Sequence, residues 1–165
     1  MENRPKLKLA LTPADQLVEV LGWVTLLFLW GLVFYNYNNL PQIIPTHFNA
    51  SGKANGFGNK STLFLHSIIG TFLFVGLTAL NKYPHIFNYP TAITAENALK
   101  QYTNATRMMR YIKLVVLLIF SAIVWMTTSV ANGKSGGLSH WFLPVSLCLV
   151  FIPTVFFLFK SFRKT

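Results

Sequence analysis

Apolar and polar residues segregate along this chain into four long apolar runs separated by polar connections. The runs cover residues 17–36, 61–80, 114–131 and 140–159, and only Glu19, near the start of the first, places a charged residue inside one. Each approaches the roughly 20 residues that a helix rising about 1.5 Å per residue needs to cross about 30 Å of hydrocarbon. Lipid offers no partners to backbone N–H and C=O groups, so each run is expected to satisfy its own as a helix. The pattern predicts an all-α integral membrane protein with four transmembrane helices, folded as a single membrane domain over residues 1–165. A tail (1–16) precedes the first helix, and a Pro/Gly-rich extracytoplasmic loop (37–60) joins it to the second. An extended segment and an amphipathic helix (81–113) lead into the third.

Local signals refine these elements. Thr12-Pro13 supplies an N-cap and a first-turn proline for the first helix. Asp15 and Glu19 fall near its N-terminus, where the helix dipole favours negative charge; a proton or ion site at Glu19 is the alternative reading. Trp23, Tyr35 and Tyr37 suit the two interfacial aromatic belts. Pro84 and Pro90 keep the middle connection extended until Thr94, which can cap a helix from Ala95, with Glu96 in its first turn. Leu99, Tyr102, Thr106 and Met109 then recur at steps of three or four, forming one weakly apolar face. That face either lies against lipid and the bundle or docks a cytosolic regulator. A Gly/Ser turn (132–139) precedes His140-Trp141, and Pro144 and Pro153 are expected to kink the fourth helix.

The loop between the first two runs, LPQIIPTHFNASGKANGFGNK, is long for an idle connection. Pro41 and Pro45 push Leu40 and Ile44 toward extended geometry. Gly52, Gly56 and Gly58 permit positive φ, and Asn55-Gly56 is a two-residue hairpin signal. A small two-stranded flap is expected, with Phe48 and Phe57 pinning it to the interface and Ser61 capping the second helix.

Charge orients the chain. Eleven of its 14 Lys and Arg precede the first run, follow the fourth, or lie between the second and third; only Lys53, Lys60 and Lys134 fall on the other side. The positive-inside bias therefore places both termini in the cytoplasm and the 37–60 loop outside. The net charge of +10 is read as a topology signal, and no basic, aromatic-lined module points to nucleic acid. With 53% hydrophobic and 11% charged residues, little chain remains for a soluble core. The first run reads as a retained span, because YNYNNLP offers no small-residue cleavage site. Cys148 is a lone cysteine, expected to be a small buried apolar residue without a disulfide partner.

The outer loop, with Pro41, Pro45, His47, Phe48, Asn49, Gly52, Gly56, Gly58 and Lys60 as its motif, resembles the LP-x-x-IP-x-H-[FW]-[ND]-x-x-G signature of domain of unknown function 1648. That module, also found at the N-terminus of SdpI-type immunity and signalling proteins of bacteria, would cover about residues 20–69. The stretch YPHIFNYPTAITAENALKQY is similar to small stand-alone members. The resemblance implies a multi-pass protein of the bacterial cytoplasmic membrane, with immunity or signalling as its role. The second membrane module of the larger immunity proteins is not recognisable, and Asn55 stands where many relatives carry an acid.

Chemistry at the loop has few candidates. His47, His66 and His140 fall toward the outer side and are the weak candidates for a metal site. The four acids, Glu2, Asp15, Glu19 and Glu96, all fall on the cytoplasmic side, and HExxH is absent. No catalytic residue and no cofactor are assigned. His47 either shapes the loop through hydrogen bonds or acts as a pH-responsive or ligand-binding group, while Lys53 and Lys60 attract phosphate or acidic groups, Lys60 equally serving as a snorkelling anchor. The expected role is non-enzymatic recognition of a small ligand, lipid headgroup or peptide by the outer loop. An oligomeric small-solute transporter, or a subunit of one, and an outward-facing metal-dependent membrane enzyme are the alternatives. The partners are then the bilayer, the loop's ligand, and a cytosolic regulator or a second copy of the chain.

Overall fold

In the computed structural model, which describes residues 4–162, the capping signal at the first run is realised in full. Thr12 Oγ1 accepts from the Asp15 N–H (3.3 Å) and the Asp15 carboxylate accepts from the Thr12 N–H (2.9 Å), a reciprocal box that starts α1 (Pro13–Tyr37). The chain then turns at the buried Leu40 into strand β1 (Ile43–Phe48), which pairs antiparallel with β2 (Ala54–Asn59). A 3-10 turn, Lys60–Thr62, leads into α2 (Leu63–Leu80), and a second, Pro84–Ile86, opens the middle connection. Next come α3 (Ala98–Ala131) and α4 (Phe142–Phe162). The four helices are each long and apolar enough to cross a bilayer. The chain is a multi-pass membrane protein.

α1 and α3 begin before the apolar runs that announce them, while α2 and α4 begin two residues inside theirs. α3, with 34 residues, extends about 51 Å at helical rise and fuses the amphipathic segment to the third span. It begins at Ala98 rather than Ala95, so Glu96 precedes it and Asn97 is the N-cap. Thr94 contributes through its backbone, its carbonyl accepting from Ala98 N (3.0 Å) and its N–H donating to Asn97 Oδ1 (2.9 Å). Asn59 rather than Ser61 caps the second helical segment: its Oδ1 accepts from the Ser61 N–H at 2.9 Å.

α3 is the axis of the bundle. Leu29 and Val33 of α1, Leu63 and Phe74 of α2, and Leu117 and Val124 of α3 form one fully buried cluster that also receives Leu40 and Ile44 from the hairpin. Small residues bring the helices close, as is usual where no water drives association. A Cβ at Gly22 would meet the Phe74 ring at 2.5 Å, and Gly70 fits between Leu117, Leu29 and Phe120. α4 packs on α3 and turns the rest of its apolar surface outward, which in a membrane is toward lipid. Cys148 belongs to that exposed surface, so the expectation of a buried cysteine does not hold. Polar ties fix the far end of α4: Gln101 Nε2 donates to Ser161 O (2.9 Å), and Asn104 Nδ2 donates to Phe157 O (2.8 Å) and Ser161 Oγ (2.7 Å).

These contacts place the start of α1 and the end of α4 at one end of the bundle, the termini end. The hairpin and the α3–α4 connection share the other. At the termini end the arm before α1 folds back: Arg4 Nη1 donates to Phe87 O (2.6 Å), and Leu9 packs with Tyr89, Ile93, Ala98 and Tyr102. Burial pushes the Tyr89 phenol above its ordinary pKa, and its O–H donates to Pro84 O at 2.9 Å.

Candidate functional site

The hairpin's geometry begins with Asn49. Its Oδ1 accepts from Ser51 N, Ser51 Oγ and Lys53 N at 2.8–3.1 Å, gathering three donors around one side chain. The Asn49 N–H donates to Lys53 O and the Gly52 N–H to Asn49 O, both at 2.9 Å, and Gly52 adopts φ +79°. The reversal therefore lies at 49–53, whereas Asn55-Gly56, the expected turn, lies within β2. Gly56 serves a different end there: it lies opposite His47, where a Cβ would approach the His47 Cβ at 2.9 Å. Gly58 likewise makes room for Thr46.

The hairpin is fixed at both ends. At its tip the Leu138 N–H donates to Gly52 O (2.8 Å), and a Cβ on Gly52 would collide with the Leu138 carbonyl oxygen. At its base Lys60 Nζ donates to Tyr37 O (3.1 Å) and Leu40 O (3.3 Å) and lies over the Tyr37 ring, 4.6 Å from its centroid. Lys60 thus adds a charged donor to the carbonyls at and just beyond the end of α1, where Tyr37 O otherwise has only a long 3.5 Å bond from the Leu40 N–H. Lys60→Met is expected to lower stability by about 1–2 kcal/mol, the scale of a charge-assisted hydrogen bond, measured by thermal unfolding. Lys60→Arg should retain part of it.

The other motif residues divide by burial. Pro45 is buried in β1, Pro41 is exposed before it, and Phe48 is half-buried. His47 is exposed, with Nδ1 and Asn55 Oδ1 2.5 Å apart, so the tautomer protonated at Nδ1 donates to the amide oxygen. Ile43, Asn55, Phe57 and Asn59 are also exposed; Ile43 pairs with Asn59, and the alternation of β2 sets 55, 57 and 59 on one face. Ile43 is 60% and Phe57 64% exposed. This face bears two large apolar side chains, and the His47 imidazole, which lies on the Gly56 side of the ladder, is joined to it through Asn55; together they are the surface the hairpin offers.

The three histidines considered for a metal are not brought together. His47 belongs to the hairpin, His66 sets its ring edge-on to Phe120 (5.9 Å between centroids), and His140 lies beside Trp141. Among the described residues no three His, Cys, Asp or Glu side chains gather as a metal site.

A second polar centre lies at the termini end. Asp15 pairs with Arg107 Nε at 2.9 Å; Glu19 pairs with Arg110 Nε at 3.1 Å and with Lys113 Nζ at 2.6 Å. Lys113 is fully buried, donates to Thr78 Oγ1 (2.7 Å) and lies over the Phe74 ring. Three helices therefore meet at one ammonium, that of Lys113. Asp15 and Glu19 stand out along the sequence, whereas Arg107, Arg110 and Lys113 look there only like topology charges. Their three-residue spacing, facing acids four apart on α1, is the signal that points to them, because α1 and α3 run parallel and match those steps.

Residues 24–71, from mid-α1 through the hairpin into α2, match the domain of unknown function DUF1648. An uncharacterized protein of Archaeoglobus fulgidus is 26% identical over 164 residues, covering 92% of this chain and 90% of that protein. No solved structure matches the chain.

Proposed function

We propose that this chain, which carries a DUF1648 domain across residues 24–71, is a non-enzymatic protein of the cytoplasmic membrane that recognises a ligand or partner with its hairpin. Recognition favours a surface held in one shape, since ordering it on binding costs affinity. The supporting observation is the contrast between the hairpin's two sides. Leu40, Ile44, Gly52 and Lys60 lock it to the bundle, while Ile43, His47, Asn55 and Phe57 are left outside. On this reading the hairpin faces outward and both termini are cytoplasmic, following the distribution of Lys and Arg. Exposed aromatic and aliphatic groups beside a polar ring suit a small amphipathic ligand or a peptide, and immunity or signalling is the role such a surface would serve.

Orientation is checked with Ala50→Cys in a Cys148→Ser background: an impermeant thiol reagent should label intact cells. In cells whose own copy is deleted, His47→Ala/Phe57→Ala should fail to complement the deletion's defect, with protein amount and insertion unchanged. Survival against a toxin encoded beside it is one such defect to score. Full complementation by that variant overturns recognition through the hairpin.

A further inference from the structure

An open cavity of about 440 Å³ lies at the termini end, between the folded-back arm and the ends of α1, α2 and α3. Lys8 and Lys82 line it with Arg110, and the only acid on its wall is Glu19. That carboxylate is already shared between Arg110 and the buried Lys113, so the pocket carries an excess of positive charge. Arg110 is 7% exposed and uses Nε on Glu19. Among the described residues its two Nη nitrogens have no protein acceptor. Neither Lys8 nor Lys82 has a side-chain partner among those residues. Asn81, on the same wall, commits its amide N–H to Thr106 O, so the donors the pocket offers are those of Arg110, Lys8 and Lys82.

We propose that this cavity binds a phosphate group. A guanidinium edge held from behind by a carboxylate is pre-oriented to offer paired N–H donors to an oxyanion. Two lysines at the mouth add charge without fixed geometry, which suits a group with three or more oxygens to share. The cavity also sits where the apolar run of α2 ends, between Leu80 and Lys82. That is headgroup depth, where the phosphate of an anionic lipid is at hand and where each nearby basic residue contributes attraction. Leucines of the arm line the remaining wall and accommodate the adjoining apolar part of such a molecule. The phosphate belongs either to an anionic lipid or to a soluble phosphate compound.

The experiment uses the full chain, delipidated in neutral detergent, with phosphatidylglycerol, phosphatidylcholine of the same acyl chains, and sodium phosphate at matched ionic strength. Native mass spectrometry and thermal unfolding read binding. Phosphatidylglycerol is expected to remain bound at one per chain and to raise Tm, with phosphatidylcholine doing neither. Lys8→Gln/Lys82→Gln, exposed positions that leave the Glu19 cluster intact, should weaken that binding about tenfold. Lys53→Gln/Lys134→Gln removes the same charge at the hairpin end and should leave binding unchanged. Protection by sodium phosphate that also competes away the lipid supports the site and assigns it to a soluble phosphate compound. Equal retention of both lipids, equal losses in the two double variants, or no protection by any phosphate overturns the proposal.

Discussion

Glu19→Ala is expected to destabilise the bundle by about 3–5 kcal/mol, the cost of removing one partner from a buried ion pair. Its carboxylate answers two cations at once, Arg110 Nε at 3.1 Å and Lys113 Nζ at 2.6 Å, and the Lys113 side chain has no exposed surface. Without Glu19 the ammonium retains only Thr78 Oγ1 and the face of Phe74. Neither replaces a full negative charge beside an ammonium that has no exposed surface of its own. The reciprocal change should be milder, since Lys113→Met removes the buried cation and leaves the Glu19–Arg110 pair standing. Combining the two is therefore expected to recover part of the loss seen in Glu19→Ala alone, a coupling that a double-mutant cycle measures directly. Added salt should matter little to this coupling, because buried pairs are poorly screened. Thermal unfolding of the four proteins, followed by tryptophan fluorescence, reads the outcome. A Glu19→Ala protein within 1 kcal/mol of the parent, or a double variant less stable than Glu19→Ala, would show that the cluster does not hold the helices together.

The contrast between what the chain announces and what it conceals follows from the range of each interaction. Spans are legible because hydrocarbon demands long unbroken apolar runs, and α1, α2 and α4 follow those runs to within a few residues, while α3 extends far beyond its run at the N-terminal end. The Thr12 cap is legible because its partners lie three residues away. Asn55-Gly56 misleads because the same dipeptide suits a turn and a strand with a bulky neighbour opposite. The turn forms instead at Asn49–Lys53, where one amide oxygen collects three donors, and Gly56 is left to accommodate His47. The charged cluster is the hardest to foresee. Asp15 and Glu19 are separated from Arg107, Arg110 and Lys113 by more than 90 positions, and nothing local says that α1 and α3 are neighbours. The motif itself also divides differently from its appearance. Asn49, Gly52, Gly56 and Lys60 build and anchor the hairpin, so a change there reports on folding, whereas Phe57, outside the motif, is the large side chain it displays.

That division makes Gly52 the most informative position in the loop. Gly52→Ala is expected to cost about 2–3 kcal/mol, from two separable causes. At φ +79° an L residue is strained, by about 1–2 kcal/mol. The added Cβ would also meet the Leu138 carbonyl oxygen, forcing the tip away and breaking the 2.8 Å bond from Leu138 N–H to Gly52 O; such a bond contributes about 0.5–1.5 kcal/mol. Gly133 provides the internal control, since its φ of +69° carries similar backbone strain while a Cβ there meets nothing within 4 Å. Gly133→Ala should therefore show the first cost alone. The two variants should separate further in hydrogen exchange. Gly52→Ala is expected to speed exchange at Leu138 and through residues 49–53, while Gly133→Ala leaves both protected. If the two alanines lower stability equally and Leu138 stays protected in each, contact with the α3–α4 connection does not hold the tip, and the fixed frame assumed for the exposed face of Ile43, His47 and Phe57 is lost with it.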